Sequence, residues 1–302
     1  AGLLGVRFAR VEDPAWHPEV RAFDCADAAS GAPLGRFYLD LFPRDGKFKH
    51  AAVFPLLRGR RPPGGAARLA SAAMLVNFEP PAAGKPSLLR HSEVETFFHE
   101  FGHVMHNLLT ESPYHRFAGT RVARDFVEAP SQIMENWAWD RDVLRGLSGH
   151  WRTAKPLPED LAARLLEAKH LDSGVFALRQ LAFAWIDQAL HGPEAVDPGG
   201  TYRRLYEEVA GVAQPEGLSP EASFGHLMSY AASYYGYLWS DVYAADMFSV
   251  FKASGDIRSP ELGARYRRQV LAPGGSRDEA GLVRDFLGRE PSEDAFLAGL
   301  GL

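Results

Sequence analysis

Two histidines, His99 and His103, stand four residues apart, and Glu100 directly follows the first of them. On an α-helix, positions i and i+4 lie about 40° apart around the axis, so both imidazoles face one side and can bind one metal ion. Glu100 can then reach a water molecule on that metal. The spacing therefore predicts a zinc site with two histidine ligands and a general base. The alternative is a chance match of two core histidines that protein groups satisfy.

The segment around this motif is expected to be a buried helix. Apolar residues recur at helical spacing, on the side away from the histidines, at Phe97, Phe101, Val104 and Leu108. Ser92 and Glu95 predict a capping box at its start. Other apolar residues surround the helix almost completely, which favours burial. Buried imidazoles need polar partners, and a metal ion supplies one.

Glu128 is the candidate for a third ligand, because a catalytic zinc ion takes three protein ligands and keeps one position open. It stands just before Pro130 at the start of a predicted helix, where the helix dipole favours a carboxylate. The alternative, equally supported by the residues alone, is that Glu128 only caps its own helix. Glu135 lies two turns further on the same face and is predicted to orient a ligand histidine.

A second set of polar groups occurs in an aromatic segment, at His226, Tyr230, Tyr234 and Tyr237. In a continuous helix these four positions would share one face. Peptide hydrolysis builds an oxyanion that needs a hydrogen-bond donor besides the metal. A tyrosine with a pKa near ~10 keeps its proton at neutral pH and can donate it. The alternative is an aromatic stripe in the core, which the residues alone favour.

The overall composition is that of a globular protein. The chain has 302 residues, of which 46% are hydrophobic and 24% charged, enough for one large or two medium domains. A net charge of −5 gives no reason to expect nucleic acid or a membrane surface as a partner. The one cysteine, Cys25, excludes an intrachain disulfide and is typical of a reducing compartment, so we expect a cytoplasmic protein.

The pattern of the chain changes near residue 90. Residues 1–90 predict strands and turns, with a continuous apolar run at Leu69–Phe78 that predicts a buried strand. Residues 91–302 predict mostly helices and contain the candidate zinc site. Together they predict one structural unit of the α+β class, mostly α-helical, with a small sheet that precedes the metal-binding helix.

Three blocks of sequence carry a resemblance to a known family. They read His-Glu-Phe-Gly-His-Val-Met-His from His99, Asp-Phe-Val-Glu-Ala-Pro-Ser-Gln from Asp125, and Tyr-Tyr-Gly-Tyr-Leu-Trp-Ser from Tyr234. Together they resemble the thimet oligopeptidase and neurolysin family of zinc oligopeptidases. The likeness covers nearly the whole chain but only the catalytic half of the family's enzymes. It implies a zincin-like catalytic domain with a small mixed sheet beside the metal-binding helix.

The resemblance also assigns roles to the candidate residues. It implies one Zn²⁺ ion on His99, His103 and Glu128, with Glu100 polarising the attacking water. It implies that Tyr237 and Tyr234 contact the substrate carbonyl and the tetrahedral intermediate, and that His226 and Tyr230 help to bind the substrate. The segment after His226 lacks the family's Gly-Gly-Tyr-Asp and is one residue shorter, which resembles the mitochondrial intermediate peptidase branch.

We therefore expect a zinc-dependent endopeptidase that cleaves internal bonds of short peptides. Leu69–Phe78 is expected to offer a sheet edge against which an extended peptide pairs. The resemblance implies an N-terminal domain that walls a deep channel and admits only short peptides, and we expect this domain to be absent from the chain. The alternative is a zinc-binding catalytic-half fragment with little or no activity unless that N-terminal domain joins it. A zinc hydrolase that acts on other substrates is a third interpretation, which the three blocks disfavour.

Overall fold

The computed structural model describes residues 1–12, 15–215 and 217–302. In these residues, five strands form one mixed sheet: Val6–Val11 (β1), Arg21–Asp27 (β2), Pro33–Asp40 (β3), Ala52–Leu57 (β4) and Ala70–Leu75 (β5). The order across the sheet is β1-β2-β3-β5-β4. Strands β3 and β5 run parallel, and the other neighbouring pairs are antiparallel. The small mixed sheet expected from the sequence is present.

Strand β5 lies inside the sheet, between β3 and β4. It confirms the buried strand predicted within Leu69–Phe78, but the prediction that this segment forms a free edge is wrong. Ala72 and Met74 are fully buried, which suits a strand with neighbours on both sides. The sheet edge next to β5 is β4, which was not predicted from the sequence. It contains Pro55. Proline has no backbone N–H to donate to a neighbouring strand, so edge strands, which have a neighbour on one side only, tolerate it.

Helices dominate from residue 91 onward. Their bounds are His91–Leu108 (α1), Ala129–Glu135 (α2), Arg141–Leu147 (α3), Glu159–Ala168 (α4), Ser173–Leu190 (α5), Pro198–Ala210 (α6), His226–Ser229 (α7), Gly236–Ala253 (α8), Pro260–Tyr266 (α9), Glu279–Leu287 (α10) and Asp294–Leu300 (α11). The short helices α3, α9 and α11 were not predicted from the sequence, because a helix of about two turns is too short to show a clear hydrophobic period. Among the described residues, no helix has the length and apolar character needed to cross a membrane. The mostly helical class is confirmed.

Helix α1 begins earlier than its predicted cap. The backbone N–H of Arg90 donates to the carboxylate of Glu93 at 2.7 Å, and His91 is already helical. The predicted box of Ser92 and Glu95 is therefore wrong, because both residues lie inside the first turns. Glu95 instead accepts a hydrogen bond from the indole N–H of Trp139 at 2.5 Å.

The main core joins the sheet to α1, α2 and α8. Phe37 on β3 meets Phe101 on α1 edge to face, with ring centroids 5.6 Å apart. On another side of α1, Gly102 lets α2 approach closely, since a Cβ there would lie 2.6 Å from both the carbonyl oxygen of Pro130 and Cα of Ser131. This glycine, inside the histidine motif, is what allows the start of α2 to reach the two histidines.

The aromatic segment is not one helix. The short α7 ends at Ser229, residues 230–235 form a loop, and α8 begins at Gly236. Ala232 in this loop has φ of 53°, in the left-handed region that breaks a right-handed helix. The condition for a shared helical face, a continuous helix from His226 to Tyr237, is therefore not met, and any grouping of the four side chains has to come from the loop.

Candidate metal centre

The structure brings together His99 and His103 from α1 and Glu128 from the start of α2. Nε2 of His99 lies 3.2 Å, and Nε2 of His103 3.0 Å, from the same oxygen of Glu128, Oε2. One possible ligand atom from each residue lies within 4.8 Å of the others. Two imidazole nitrogens and one carboxylate oxygen that converge in this way are a donor set that zinc prefers.

The carboxylate of Glu128 is buried and turned toward the histidines. Burial raises its pKa, but the charges and hydrogen bonds of His103 and His99 outweigh this and hold the pKa well below its ordinary value. The hydroxyl of Ser131 donates a further hydrogen bond to Oε2 at 3.1 Å. The side chain makes no capping bond to its own helix, which argues against the interpretation that Glu128 only caps α2.

Glu135 fixes the orientation of the first histidine. Its Oε1 lies 2.6 Å from Nδ1 of His99, so Nε2 of the same ring is left to face Glu128. Burial lowers the pKa of His99, but the hydrogen bonds to Glu128 and Glu135 outweigh it and raise the pKa well above its usual value. Carboxylate–histidine pairs of this kind orient metal ligands, and this contact was expected from the sequence.

Glu100 is largely enclosed, with 6% of its surface exposed. Its Oε2 is buried and has no hydrogen-bond partner in the described part of the chain. Burial raises the pKa of this carboxyl, and the charges of His103 and His99 partly offset the effect. A buried carboxylate oxygen without a partner is costly, so its position beside the histidine pair fits a group that binds and deprotonates water.

The four polar groups of the aromatic segment form one cluster of rings. The ring of His226 lies 5.2 Å from that of Tyr234 and 5.8 Å from that of Tyr237, and the rings of Tyr230 and Tyr237 are 5.7 Å apart. Burial, followed by the negative charge of Glu128, raises the pKa of Tyr237. The cluster is joined to the candidate metal centre through α2, because Gln132 of that helix donates a hydrogen bond to the carbonyl oxygen of Tyr237.

The three tyrosine hydroxyls of this cluster differ in their partners. Tyr234 donates to the side-chain oxygen of Gln180 on α5 at 2.9 Å, and burial raises its pKa to about 12. Tyr230 donates to the backbone oxygen of Arg124 at 3.1 Å. Within the described ranges, the hydroxyl of Tyr237 has only a long contact of 3.4 Å with Nε2 of His226. Tyr237 is thus the donor that is most available to a ligand.

The groups that hold this cluster in place were not predicted from the sequence. The carboxylate of Asp187 on α5, 1% exposed, accepts hydrogen bonds from the backbone N–H groups of Ala232 at 3.0 Å and Tyr234 at 2.8 Å. The side-chain amide of Gln132 donates to the carbonyl oxygen of Tyr237 at 3.0 Å. The available signal for Asp187 was a lone acid in the mostly apolar second half of α5.

The comparison with known proteins agrees with this geometry. Residues 1–302, the full length of the chain, match the family model described as Peptidase family M3. The chain belongs to this family. It is 47% identical to the thimet-like oligopeptidase of Dictyostelium discoideum over 310 residues, which cover 99% of this chain and 46% of that protein. It is 40% identical to oligopeptidase A of Escherichia coli, with coverage of 95% and 43%.

The resemblance to the thimet oligopeptidase family is thereby confirmed, and the M3 chain spans less than half the length of these relatives. Solved structures share its fold. PZ peptidase A with an inhibitor matches at a TM-score of 0.55 with 14% identity, over 87% of this chain and 42% of that one. A carboxypeptidase of Pyrococcus furiosus matches at 0.58 with 13% identity, over 88% and 53%.

Proposed function

We propose that this M3 chain is a zinc-dependent endopeptidase that hydrolyses internal bonds of short peptides. The observation that carries the proposal is the convergence of His99, His103 and Glu128, with the unpartnered oxygen of Glu100 beside the two histidines. The names of the relatives, thimet-like oligopeptidase and oligopeptidase A, support oligopeptides as the substrate class.

The metal ligands in this proposal are Nε2 of His99, Nε2 of His103 and a carboxylate oxygen of Glu128. Zinc, when bound, polarises the scissile carbonyl group and lowers the pKa of a water molecule. Glu135 holds the ring of His99 so that Nε2 faces the metal position. The negative charge of Glu128 is kept by its histidine partners, so it is available as a ligand.

Glu100 acts as the general base. It takes a proton from the attacking water, and later transfers that proton to the nitrogen of the leaving amine. The hydroxyl of Tyr237 donates a hydrogen bond to the oxyanion that forms from the carbonyl oxygen. Tyr234 and His226 complete the contacts to this centre, and Tyr230 binds the substrate backbone. The ring cluster supports these assignments, because it groups all four side chains and is hydrogen-bonded through Gln132 to α2, the helix that follows Glu128.

The second candidate function is a zinc-binding catalytic half that needs the rest of the family's chain for turnover. It is favoured by the 46% coverage of the Dictyostelium relative. Helix α5 also presents large apolar side chains to solvent, as a surface that packs against another polypeptide would: Val175, Phe176, Leu178 and Trp185. An N-terminal half from a relative, added in trans, should raise activity under this proposal and leave it unchanged under the first.

The cytoplasmic location stays a prediction from Cys25.

Metal dependence tests the first proposal. Removal of metal with a chelator should abolish hydrolysis of a quenched fluorescent peptide, and added zinc should restore it. Magnesium should not restore it, because this ion prefers an all-oxygen octahedral site. Activity that survives complete metal removal would refute the proposal.

A further inference from the structure

A cavity of about 630 Å³ opens beside the candidate metal centre. Its wall includes Val127, the residue before Glu128, and Tyr230 of the ring cluster. Four arginines also line it: Arg58, Arg116, Arg121 and Arg124. The chain as a whole carries a net charge of −5, so this concentration of positive charge is a local feature of the cavity.

Three of these arginines carry positive charge that no group in the described part of the chain balances. In the described ranges, the guanidinium groups of Arg58, Arg116 and Arg121 form no ion pair and no hydrogen bond. Burial lowers the pKa of Arg58, and the positive charge of Arg121 lowers it further. Arg124 differs, because it donates to the carbonyl oxygen of Ser229 at 3.3 Å. An anion between Arg58 and Arg121 would relieve their repulsion.

The cavity is built from segments that are fixed by close backbone packing. Arg116 and Arg121 flank a stretch in which Gly119 has φ of 55° and lies against Asn107 of α1. A Cβ on Gly274 would collide with the carbonyl oxygen of Phe117, and one on Gly275 with that of Arg121. Only glycine fits at these contacts, so the arginines are presented by a preformed surface.

We propose that this cavity binds a carboxylate of the peptide substrate. The M3 chain should therefore prefer peptides whose carboxylate reaches the arginines of the cavity while the scissile bond lies at the metal centre. Guanidinium groups bind carboxylates through paired, charge-assisted hydrogen bonds. The carboxylate belongs to the same peptide that reaches the candidate metal centre, because the cavity is lined by Val127, which precedes the ligand Glu128, and by Tyr230 of the ring cluster. Its source is an Asp or Glu side chain or the free C-terminus. This inference rests on the proposed function for the identity of the ligand.

Peptide binding to the Glu100→Gln chain tests the proposal without any cleavage. Fluorescence anisotropy would compare labelled peptides in which one Glu is moved along the sequence, each paired with its Gln counterpart. A second pair would differ only in a free or amidated C-terminus. We expect one pair to show an affinity advantage of about tenfold for the carboxylate. The Glu or Gln series and the C-terminal pair distinguish the two sources.

The arginine variants then connect that preference to the cavity. Arg121→Gln and Arg58→Gln should each reduce the ratio of the two affinities in the discriminated pair toward one. Arg121 is exposed, so its substitution should leave the fold intact. The matched control is Arg164→Gln on the exposed side of α4, which removes the same charge elsewhere and should keep the ratio. Equal affinities in all pairs, or a preference that survives both cavity variants, would overturn the proposal. If the pairs are discriminated but the parent chain cleaves none of them, the inference stands and the proposed hydrolysis fails.

Discussion

The carboxylate of Asp187 on α5 accepts the backbone N–H of Tyr234 at 2.8 Å, across 47 residues of sequence. The same carboxylate accepts from Ala232, the loop residue with φ of 53°. The hydroxyl of Tyr234 returns to α5 and donates to Gln180. Helix α5 therefore fixes the loop of residues 230–235, and this loop sets the position of the ring cluster beside the metal centre.

Asp187→Asn tests this support. The amide keeps the shape of the side chain but offers only one acceptor oxygen, so one backbone N–H of the loop loses its partner. We expect a loss of about 1–3 kcal/mol in unfolding free energy and a lower kcat/KM. Urea denaturation and peptide hydrolysis measure the two effects. Asp160→Asn on the exposed surface of α4 is the control, and equal behaviour of the two variants would contradict the assigned role.

Tyr237→Phe tests the proposed oxyanion donor. The variant removes one hydroxyl and leaves the ring packing, so kcat should fall by a factor of about 10²–10³ while KM changes little. Tyr235→Phe is the matched control. The Tyr235 hydroxyl donates to Asp125 at 2.8 Å and has no part in the proposed mechanism, so its loss should leave kcat near that of the parent. An unchanged kcat in Tyr237→Phe would remove this residue from the mechanism.

Glu135→Gln tests the orientation of His99. The amide cannot supply the negative charge that now lies 2.6 Å from Nδ1, so zinc affinity should fall by a factor of about 10–100. Competition with a chromophoric chelator measures the affinity directly. Glu167→Gln, exposed on α4, removes an equal charge at a distance and should bind zinc as the parent does. Unchanged zinc affinity in Glu135→Gln would exclude the positioning role.

The carboxyl group of Asp40, at the end of β3, should make the free energy of unfolding depend on pH. Burial raises its pKa, but hydrogen bonds from Arg44, Trp16 and Lys47 outweigh this and lower the pKa to about 2. A carboxyl whose folded pKa lies below its unfolded value stabilises the fold above that unfolded value, and loses the contribution as the pH falls. The loss should amount to about 2 kcal/mol between roughly pH 4 and pH 2.

Urea denaturation of the parent and of Asp40→Asn over this pH range measures the effect. The variant should be less stable at neutral pH, and the difference between the two proteins should shrink toward pH 2. Asp160→Asn serves again as the surface control. A difference that stays constant with pH would show that the paired carboxylate is not the source of the stability.

The local part of the site was predictable from sequence. His99 and His103 face one side because a helix imposes that geometry on residues four apart, and Glu135 lies two turns after Glu128 for the same reason. The mostly helical class with one small sheet followed from the change of pattern near residue 90. Each of these features depends on residues that are close in the chain.

The features that failed depend on distant residues. The helical spacing from His226 to Tyr237 suggested one face, but the segment breaks at Ala232, where Asp187 on another helix stabilises the loop. The position of β5 inside the sheet depends on its pairing with β4, whose sequence shows no clear alternation. The capping box is the exception and failed for a local reason, because Arg90 and Glu93 begin α1 two residues before the predicted cap at Ser92.

The most direct test of the central claim compares hydrolysis of a quenched fluorescent peptide by the 302-residue chain and by Glu100→Gln, with bound zinc quantified in each. Our account predicts about one zinc ion per chain in both proteins and cleavage by the parent alone, because the variant keeps the three ligands and loses the base. Equal cleavage rates in the two proteins, or no zinc in either, would contradict the account.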